Sequence, residues 1–494
     1  MNIRVAVLRR QSEIVIRCAS GSFTLEKSNG TETIHTDEER RFSLSSPLRE
    51  CWLTRTKLSQ LPLQGAEPIG VHADTALGEV TSHKWLVLLE ADKPTTPDAL
   101  FTQAVAIAHS AAPNGELLYP DERRDLSASL LIGWSPVADS LKLIPDSPQS
   151  TLSIQNVQIG IGFHWDHVNT MLYSGTIRIY ALKNGLAAVV ETPLEEYLAT
   201  VNSSEMPAEM PLEFLKAQTV AARSWLRANL GSHYPGAPFD VCSDDHCQCY
   251  QGSVKIKENS LRASQETAGQ ILICKDSSEK YVITDARYAK TCGGRFEPGA
   301  RVWGGETPGL LYAHDHVTEQ LVPPIDTEVD AYNVIENTET NDYCNPKLYP
   351  YPPSLTYCEP YYRWQQELTC AELGQRITRA TGIEIGAIQS LESLERGPSG
   401  RIHRLQVVGE KNTIEISGEL AIRRALSDSH LPSSAIVWKF NNPSIVLLGA
   451  GWGHGAGLCQ TGAAIRATHG ASYQEILSAY YPDSILETMS ACRR

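Results

Sequence analysis

Apolar and polar positions alternate through most of the first 145 residues. The runs IRVAVL, EIVIRC, SFTLEK and KWLVLLE each predict a short strand, with turn-forming residues between them. Thr96–Ala111 is the exception, since its apolar spacing predicts a helix with Asp98 near its start. Pro145 and Pro148, set among Asp and Ser, mark a linker. Strand patterns return at Ser153–Ile159, Gly175–Ala181 and Ala187–Glu191.

The period then changes. Thr192-Pro193-Leu194-Glu195 reads as a helix start, with threonine as cap, proline at the first helical position and glutamate completing a capping box. Leu194, Tyr197, Leu198 and Val201 follow on one face. A second helix is predicted from Pro211, with Leu212, Leu215, Thr219, Ala222 and Leu226 as its apolar stripe. Lys216 and Arg223, seven apart, share another face. A third helix near Lys257–Ala268 stops at Gly269, and strands 271–274 and 281–286 pair across a polar turn. Residues 306–445 are less regular and read as an insertion. The glycine-rich stretch 449–464 leads into a helix, and Ser472 and Glu475 cap the last one. The pattern predicts an α+β protein: a β-rich accessory region (1–148), a mixed helix/strand core (149–305), an insertion (306–445) and a C-terminal core segment (446–494).

Length and composition bound this picture. At 494 residues the chain exceeds one ordinary hydrophobic core. With 42% apolar and 20% charged residues it is globular in composition. A net charge of −14 gives no general pull toward nucleic acid. No run approaches the ~18 apolar residues of a membrane span. The first apolar run, Val5 to Leu8, is shorter than the ~7–15 residues of a signal peptide's middle region, so no signal peptide is expected. The twelve cysteines leave the redox compartment open.

Four segments can carry chemistry. Glu205 ends a predicted helix, where a carboxylate opposes the helix dipole, and the Lys216/Arg223 face can offset that cost or hold an anionic group. In DVCSDDHCQCYQG (240–252), Cys242, His246, Cys247 and Cys249 are metal-competent, although the spacing is not that of a zinc finger. Adjacent His246 and Cys247 are a rare pair on one ion, and zinc, a disulfide and reduced thiols all remain open. TCGGRFEPG (291–299) follows Tyr288 and Lys290, two hydrogen-bond donors beside a glycine turn. In GWGHGAGLCQTGA (451–463) glycines leave His454 uncrowded, and the Gly-Lys-Ser/Thr ending of a phosphate loop is missing.

The order EEYL, SSEMP, LKAQTVAARSW, HCQ-x-Y, TCGGR and WGHGAGLCQTGA resembles the SpoIID/LytB family of sporulation and cell-wall proteins, most strongly over 190–305 and 449–483. The resemblance implies a lytic transglycosylase that cleaves MurNAc–GlcNAc bonds of peptidoglycan, preferring strands stripped of stem peptides. It puts the catalytic acid on Glu205 and substrate contacts on Lys216, Arg223, His246, Gln248, Tyr288, Lys290 and His454. It implies zinc on Cys242 and Cys247, structural rather than needed for the reaction, and an extracytoplasmic setting at the cell envelope. Glycan strands are the implied partner, with other wall hydrolases such as an amidase also implied, and no nucleic acid. Cys249, Cys459 and Thr461 depart from the family pattern.

One carboxyl suffices for that chemistry, acting as acid and then as base, so the second carboxylate of ordinary glycosidases is not required. Holding the acid form asks for partial burial of Glu205 against apolar neighbours such as Met206 or Tyr250. Two other readings stand beside this one: a non-catalytic glycan binder that modulates another hydrolase, and a zinc amidase or peptidase, for which no HExxH-type motif exists. A Cys459 nucleophile near His454 has no special support.

Overall fold

The computed structural model describes residues 1–27, 30–43, 51–55, 69–70, 86–90, 140–161, 166–182, 185–317 and 322–489. The helix expected over Thr96–Ala111 lies outside them. Helices and several sheets coexist, which is the α+β class expected. The chain divides into two compact units, one formed by residues 1–161, 166–201 and 229–255, the other by 202–228 and 256–494.

The first unit is built on a seven-stranded sheet. Its order is Val241–Cys242, Asn2–Gln11, Gly185–Pro193, Thr176–Leu182, Ser140–Pro145, Ser22–Lys27 and Gly30–His35. Asn2–Gln11 pairs antiparallel with Gly185–Pro193 and parallel with Val241–Cys242, so it lies inside the sheet. That explains its apolar run: Val5 to Leu8 are all buried, on both faces of the strand. A second sheet orders His167–Tyr173, Thr151–Ile159, Glu13–Ser20 and Glu39–Ser43.

Two expectations change here. The division at 148/149 cuts through a single sheet, because strands from residues 2–35 and 140–193 are hydrogen-bonded neighbours. The Pro145–Pro148 stretch is a tight turn rather than a linker. Pro145 ends a strand opposite Phe23, and the Asp146 carboxylate accepts from the hydroxyls of Ser22 and Thr24 at 2.6 and 2.8 Å.

The start of the Glu205 helix also differs. Thr192 and Pro193 finish the strand, Thr192 paired with Ile3, and the Leu194 N–H donates to the Met1 carbonyl at 3.0 Å. The strand therefore runs directly into the helix Leu194–Glu205, and tertiary pairing overrides the local capping signal.

In the second unit the helix Leu212–Asn229 is buried at twelve of the thirteen positions from Phe214 to Leu226, Lys216 being the exception. Phe214, Leu215, Val220 and Ala221 share a core with Leu458, Ala464, Ile465, Ile476 and Tyr481. The last two helices, Gln460–Thr468 and Tyr473–Tyr480, form as expected, the latter with the Ser472/Glu475 box. Residues 306–445 are more regular than their sequence suggests. Sheets of Arg363–Thr369, Ser444–Ala450 and Ile436–Asn441, and of Ile388–Arg396, Ile402–Gly409 and Thr413–Ser417, enclose a core with Leu373 and Ile377 of the helix Cys370–Thr381. Strands such as RWQQELT are half exposed and mostly polar, so they carry little apolar alternation to read. No helix among the described residues is long and apolar enough to cross a membrane.

Candidate active site around Glu205

Glu205 closes the helix Leu194–Glu205 and is partly buried, with Met206 fully buried beside it. The Tyr288 hydroxyl approaches its Oε1 at 3.5 Å, the outer limit of a hydrogen bond. Lys290 Nζ donates to the main-chain carbonyl of Glu205 and lies 3.4 Å from Met206 Sδ. An ammonium group at a helix C-terminus answers the partial negative charge there, so Lys290 supplies the cation expected for this carboxylate-bearing helix end. Of the residues singled out from the sequence, Glu205, Tyr288 and Lys290 meet directly.

Tyr288–Lys290 is held by the WGHG loop. Tyr288–Ala289 pairs parallel with Leu458–Cys459, and Thr291 pairs with Trp452. Thr461 donates twice to the Lys290 carbonyl, from its N–H at 3.0 Å and its hydroxyl at 2.7 Å. The two glycine loops run backbone against backbone. A Cβ on Gly453, where φ is +103°, would lie 2.9 Å from Ala289 Cβ.

His454 is part of this bracing. Its Nδ1 accepts from the Ala456 N–H at 3.0 Å, it makes a further hydrogen bond to the Tyr288 backbone, and Trp303 meets its ring edge-on at 4.9 Å. Although the ring keeps an accessible edge, burial pulls its pKa down to about 3, with Arg287, Arg401 and Arg423 adding repulsion. It is therefore neutral at working pH and fixes Tyr288. A base whose pKa is depressed by folding stabilises the fold fully above its unfolded value near 6.5, and that stability is lost as pH falls toward 3. His454→Gln is expected to flatten the decline of the urea midpoint between pH 7 and 4; unchanged steepness refutes this assignment.

The other two expected cations are committed elsewhere. Lys216 forms ion pairs with Glu213 at 2.8 Å and Glu266 at 2.7 Å. Arg223 is fully buried and donates to the carbonyls of Gln270 and Ser264 at 3.0 and 3.4 Å. The face they share is a packing face, and the substrate contacts expected of them have no surface on which to form at Arg223.

Gln248, His246, Cys242 and Cys247 belong to the first unit, as does Tyr250, which stacks on Tyr197 and Tyr173 at 5.5 and 6.0 Å. Gln248 is buried and accepts from the Tyr197 hydroxyl at 2.9 Å. His246 is exposed, its Nδ1 3.1 Å from the Tyr234 hydroxyl and 3.6 Å from Cys247 Sγ. One ligand atom from each of His233, His246 and Cys247 lies within 4.8 Å of the others. The hydrogen bond with Cys247 pulls the Cys242 thiol well below its usual range against the upward push of burial, with His246 and Arg9 assisting. Adjacent His246 and Cys247 thus do converge, and His233 joins them. Nothing in the sequence motif marked His233.

The sequence reading also missed an aromatic wall. Tyr361 packs on Trp452 at 4.3 Å, and Tyr357 meets Trp452 edge-on at 6.3 Å. Tyr357 is 42% exposed and its hydroxyl lies 3.6 Å from Met206 Sδ. Burial raises this phenol, Lys290 lowers it and Glu205 raises it, so the wall stands in the electrostatic field of the candidate acid. The Tyr-rich, Pro-rich spelling of 349–362 was the available signal.

Comparison with known proteins finds likenesses over much of the chain. The family model described as Stage II sporulation protein (SpoIID) matches residues 182–274, and a domain of unknown function, DUF8618, matches 355–457. An uncharacterised protein of Brachyspira hyodysenteriae is 26% identical over 314 residues, covering 64% of this chain and 72% of its own. The amidase enhancer of Bacillus subtilis is 26% identical over 313 residues, 58% of this chain, and the chain spans only 40% of its length. Stage II sporulation protein D of Bacillus subtilis is 24% identical over 315 residues, 62% of this chain and 77% of its own. The matched segment 182–274 contains Glu205 and its helix, and these relatives extend the likeness to Stage II sporulation protein D over 62% of the chain.

Proposed function

We propose that this protein works on the bacterial cell wall as a lytic transglycosylase, cleaving MurNAc–GlcNAc bonds in glycan strands and leaving 1,6-anhydro-MurNAc ends. The observation that carries this reading is Glu205 itself, with Tyr288 at its carboxyl group and Lys290 on its carbonyl. The Glu205 carboxylic acid protonates the glycosidic oxygen as the bond from MurNAc C1 to that oxygen breaks. The resulting carboxylate takes the proton of the C6 hydroxyl as that oxygen bonds to C1, which regenerates the acid. Tyr288 orients the carboxyl group, Lys290 fixes the helix end, and the Tyr357–Trp452–Tyr361 wall offers flat apolar faces for sugar rings. Lys290 is also the cation suited to the lactyl carboxylate of a peptide-free MurNAc.

Envelope localisation follows from the substrate. The amidase enhancer among the relatives supports a second reading, in which the chain binds glycan and modulates an amidase without cutting. Zinc in the first unit would be held by the converging His233, His246 and Cys247, with the Cys242 thiol, hydrogen-bonded to Cys247, completing a closed structural set.

Mass spectrometry of peptide-free glycan after incubation decides between the readings. A transglycosylase leaves anhydro ends, a hydrolase leaves reducing ends, and a binder leaves the strands intact. With the same assay, Trp452→Ala is expected to raise KM about tenfold, the loss of ~1.4 kcal/mol of ring contact, with kcat little changed. A fall confined to kcat would remove Trp452 from the binding surface.

A further inference from the structure

Three cysteines and an aspartate from distant parts of the sequence converge in the core of the second unit. Cys292 follows the Tyr288–Ala289 strand, Asp315 and Cys344 lie in the 306–358 segment, and Cys459 opens the helix Gln460–Thr468. All four are buried, Asp315 and Cys344 completely, and one ligand atom from each lies within 4.8 Å of the others.

We propose that Cys292, Cys344, Cys459 and Asp315 form a second metal site, a closed structural centre for a single zinc ion. The spacing is that of a tetrahedron around one ion. Zinc–sulfur bonds of ~2.3 Å place two thiolates of a tetrahedral site roughly 3.8 Å apart, and Cys292 Sγ lies 3.7 Å from Cys344 Sγ. A disulfide needs ~2.05 Å and would leave the third thiol over. A cage whose ligand atoms all lie this close has no room for the several irons and sulfides of an iron–sulfur cluster.

The surroundings are built as the outer shell of a metal–thiolate centre. Cys292 Sγ accepts from the Gly294 N–H at 3.2 Å, and Cys459 Sγ accepts from the N–H groups of Cys292 at 3.2 Å and Gly462 at 3.4 Å. Asp315 accepts from the Tyr480 hydroxyl at 2.7 Å and the Cys344 N–H at 3.0 Å, with Arg466 at 3.5 Å. Arg466 is itself held 4.1 Å over the Tyr343 ring. A Cβ on Gly462 would lie 2.1 Å from Asp315 Oδ2, so glycine there lets the helix sit flush on the carboxylate. A buried carboxylate and three sulfurs whose ligand atoms all lie within 4.8 Å of one another offer a cation a complete ligand set, and soft thiolates in a four-coordinate set select zinc. No position is open to substrate. The ion would tie the loop bearing Tyr288 and Lys290 to the WGHG loop and to the segment bearing Tyr357.

The site is separable from the Cys242/Cys247 cluster by mutation. The full chain carrying Cys242→Ser and Cys247→Ser, purified without added metal, is expected to retain about one zinc per chain by elemental mass spectrometry. Adding Cys344→Ser should release that zinc. Cobalt in its place should give thiolate-to-metal charge-transfer bands that Cys344→Ser removes and Asp315→Asn shifts. A folded Cys242→Ser/Cys247→Ser chain that holds no zinc and gives no such bands would overturn the proposal. Should that variant not fold, the wild-type chain serves, with about two zinc ions expected. A zinc content that Cys344→Ser leaves unchanged, or a Cys292–Cys344 disulfide in a non-reducing peptide map, would overturn it equally.

Discussion

Glu205→Gln is expected to reduce release of anhydro-ended products by roughly 10²–10⁴-fold, the usual share of a positioned general acid–base group. The amide has the size of the carboxyl group and can still accept from the Tyr288 hydroxyl, but it has no proton to give the leaving oxygen and cannot receive one from the C6 hydroxyl. The Lys290 bond runs to the main-chain carbonyl and survives the change. Folding should therefore be unaffected, which circular dichroism and the urea midpoint check. Anhydro ends still released by a folded Glu205→Gln protein would remove Glu205 as the acid–base group, whereas no release by the wild-type chain would leave the glycan binder.

The second large effect is expected at Gly455→Ala, in the glycine loop next to His454. Gly455 has φ +72°, and a Cβ there would lie 2.1 Å from Arg401 Cζ and 2.3 and 2.4 Å from its terminal nitrogens. The end of a long side chain ordinarily swings away. Arg401 cannot, because it is fully buried and donates to Ser399 Oγ at 3.1 Å, the Gly453 carbonyl at 3.3 Å and the Cys292 carbonyl at 3.4 Å. Left-handed strain adds to overpacking, so a loss of about 2–5 kcal/mol is expected. Gly470→Ala is the control: φ is +93° and a Cβ meets nothing within 4 Å, which leaves strain alone, about 1–2 kcal/mol. Equal urea midpoints for the two variants would contradict the role given to Arg401.

That role bears on how the 306–445 segment is read. It looks like an insertion in the sequence, yet Arg401, in the turn between two of its strands, braces both glycine loops. Glu297 of the TCGGRFEPG loop in turn meets His403 at 3.2 Å and accepts from the Ser399 N–H at 3.3 Å. Tyr357 and Tyr361 of the wall come from the same segment.

What the sequence determined alone was local. Period and punctuation located the helices carrying Glu205 and its neighbour, the strands at 271–283 and the last two helices, because apolar spacing and end signals act within a few residues. Glu205, Tyr288 and Lys290 could be picked out because each sits in a short motif whose residue types suit proton transfer. Tertiary structure decided everything that depends on what a face meets. The seven-residue spacing of Lys216 and Arg223 put them on one side of a helix but could not say that Glu213, Glu266 and two carbonyls lie against it. It was also tertiary structure that made a strand of Asn2–Gln11 between Gly185–Pro193 and Val241–Cys242, and that gathered Cys292, Asp315, Cys344 and Cys459. Such contacts span up to hundreds of residues, and they are fixed by the burial they jointly achieve rather than by any signal near the residues themselves.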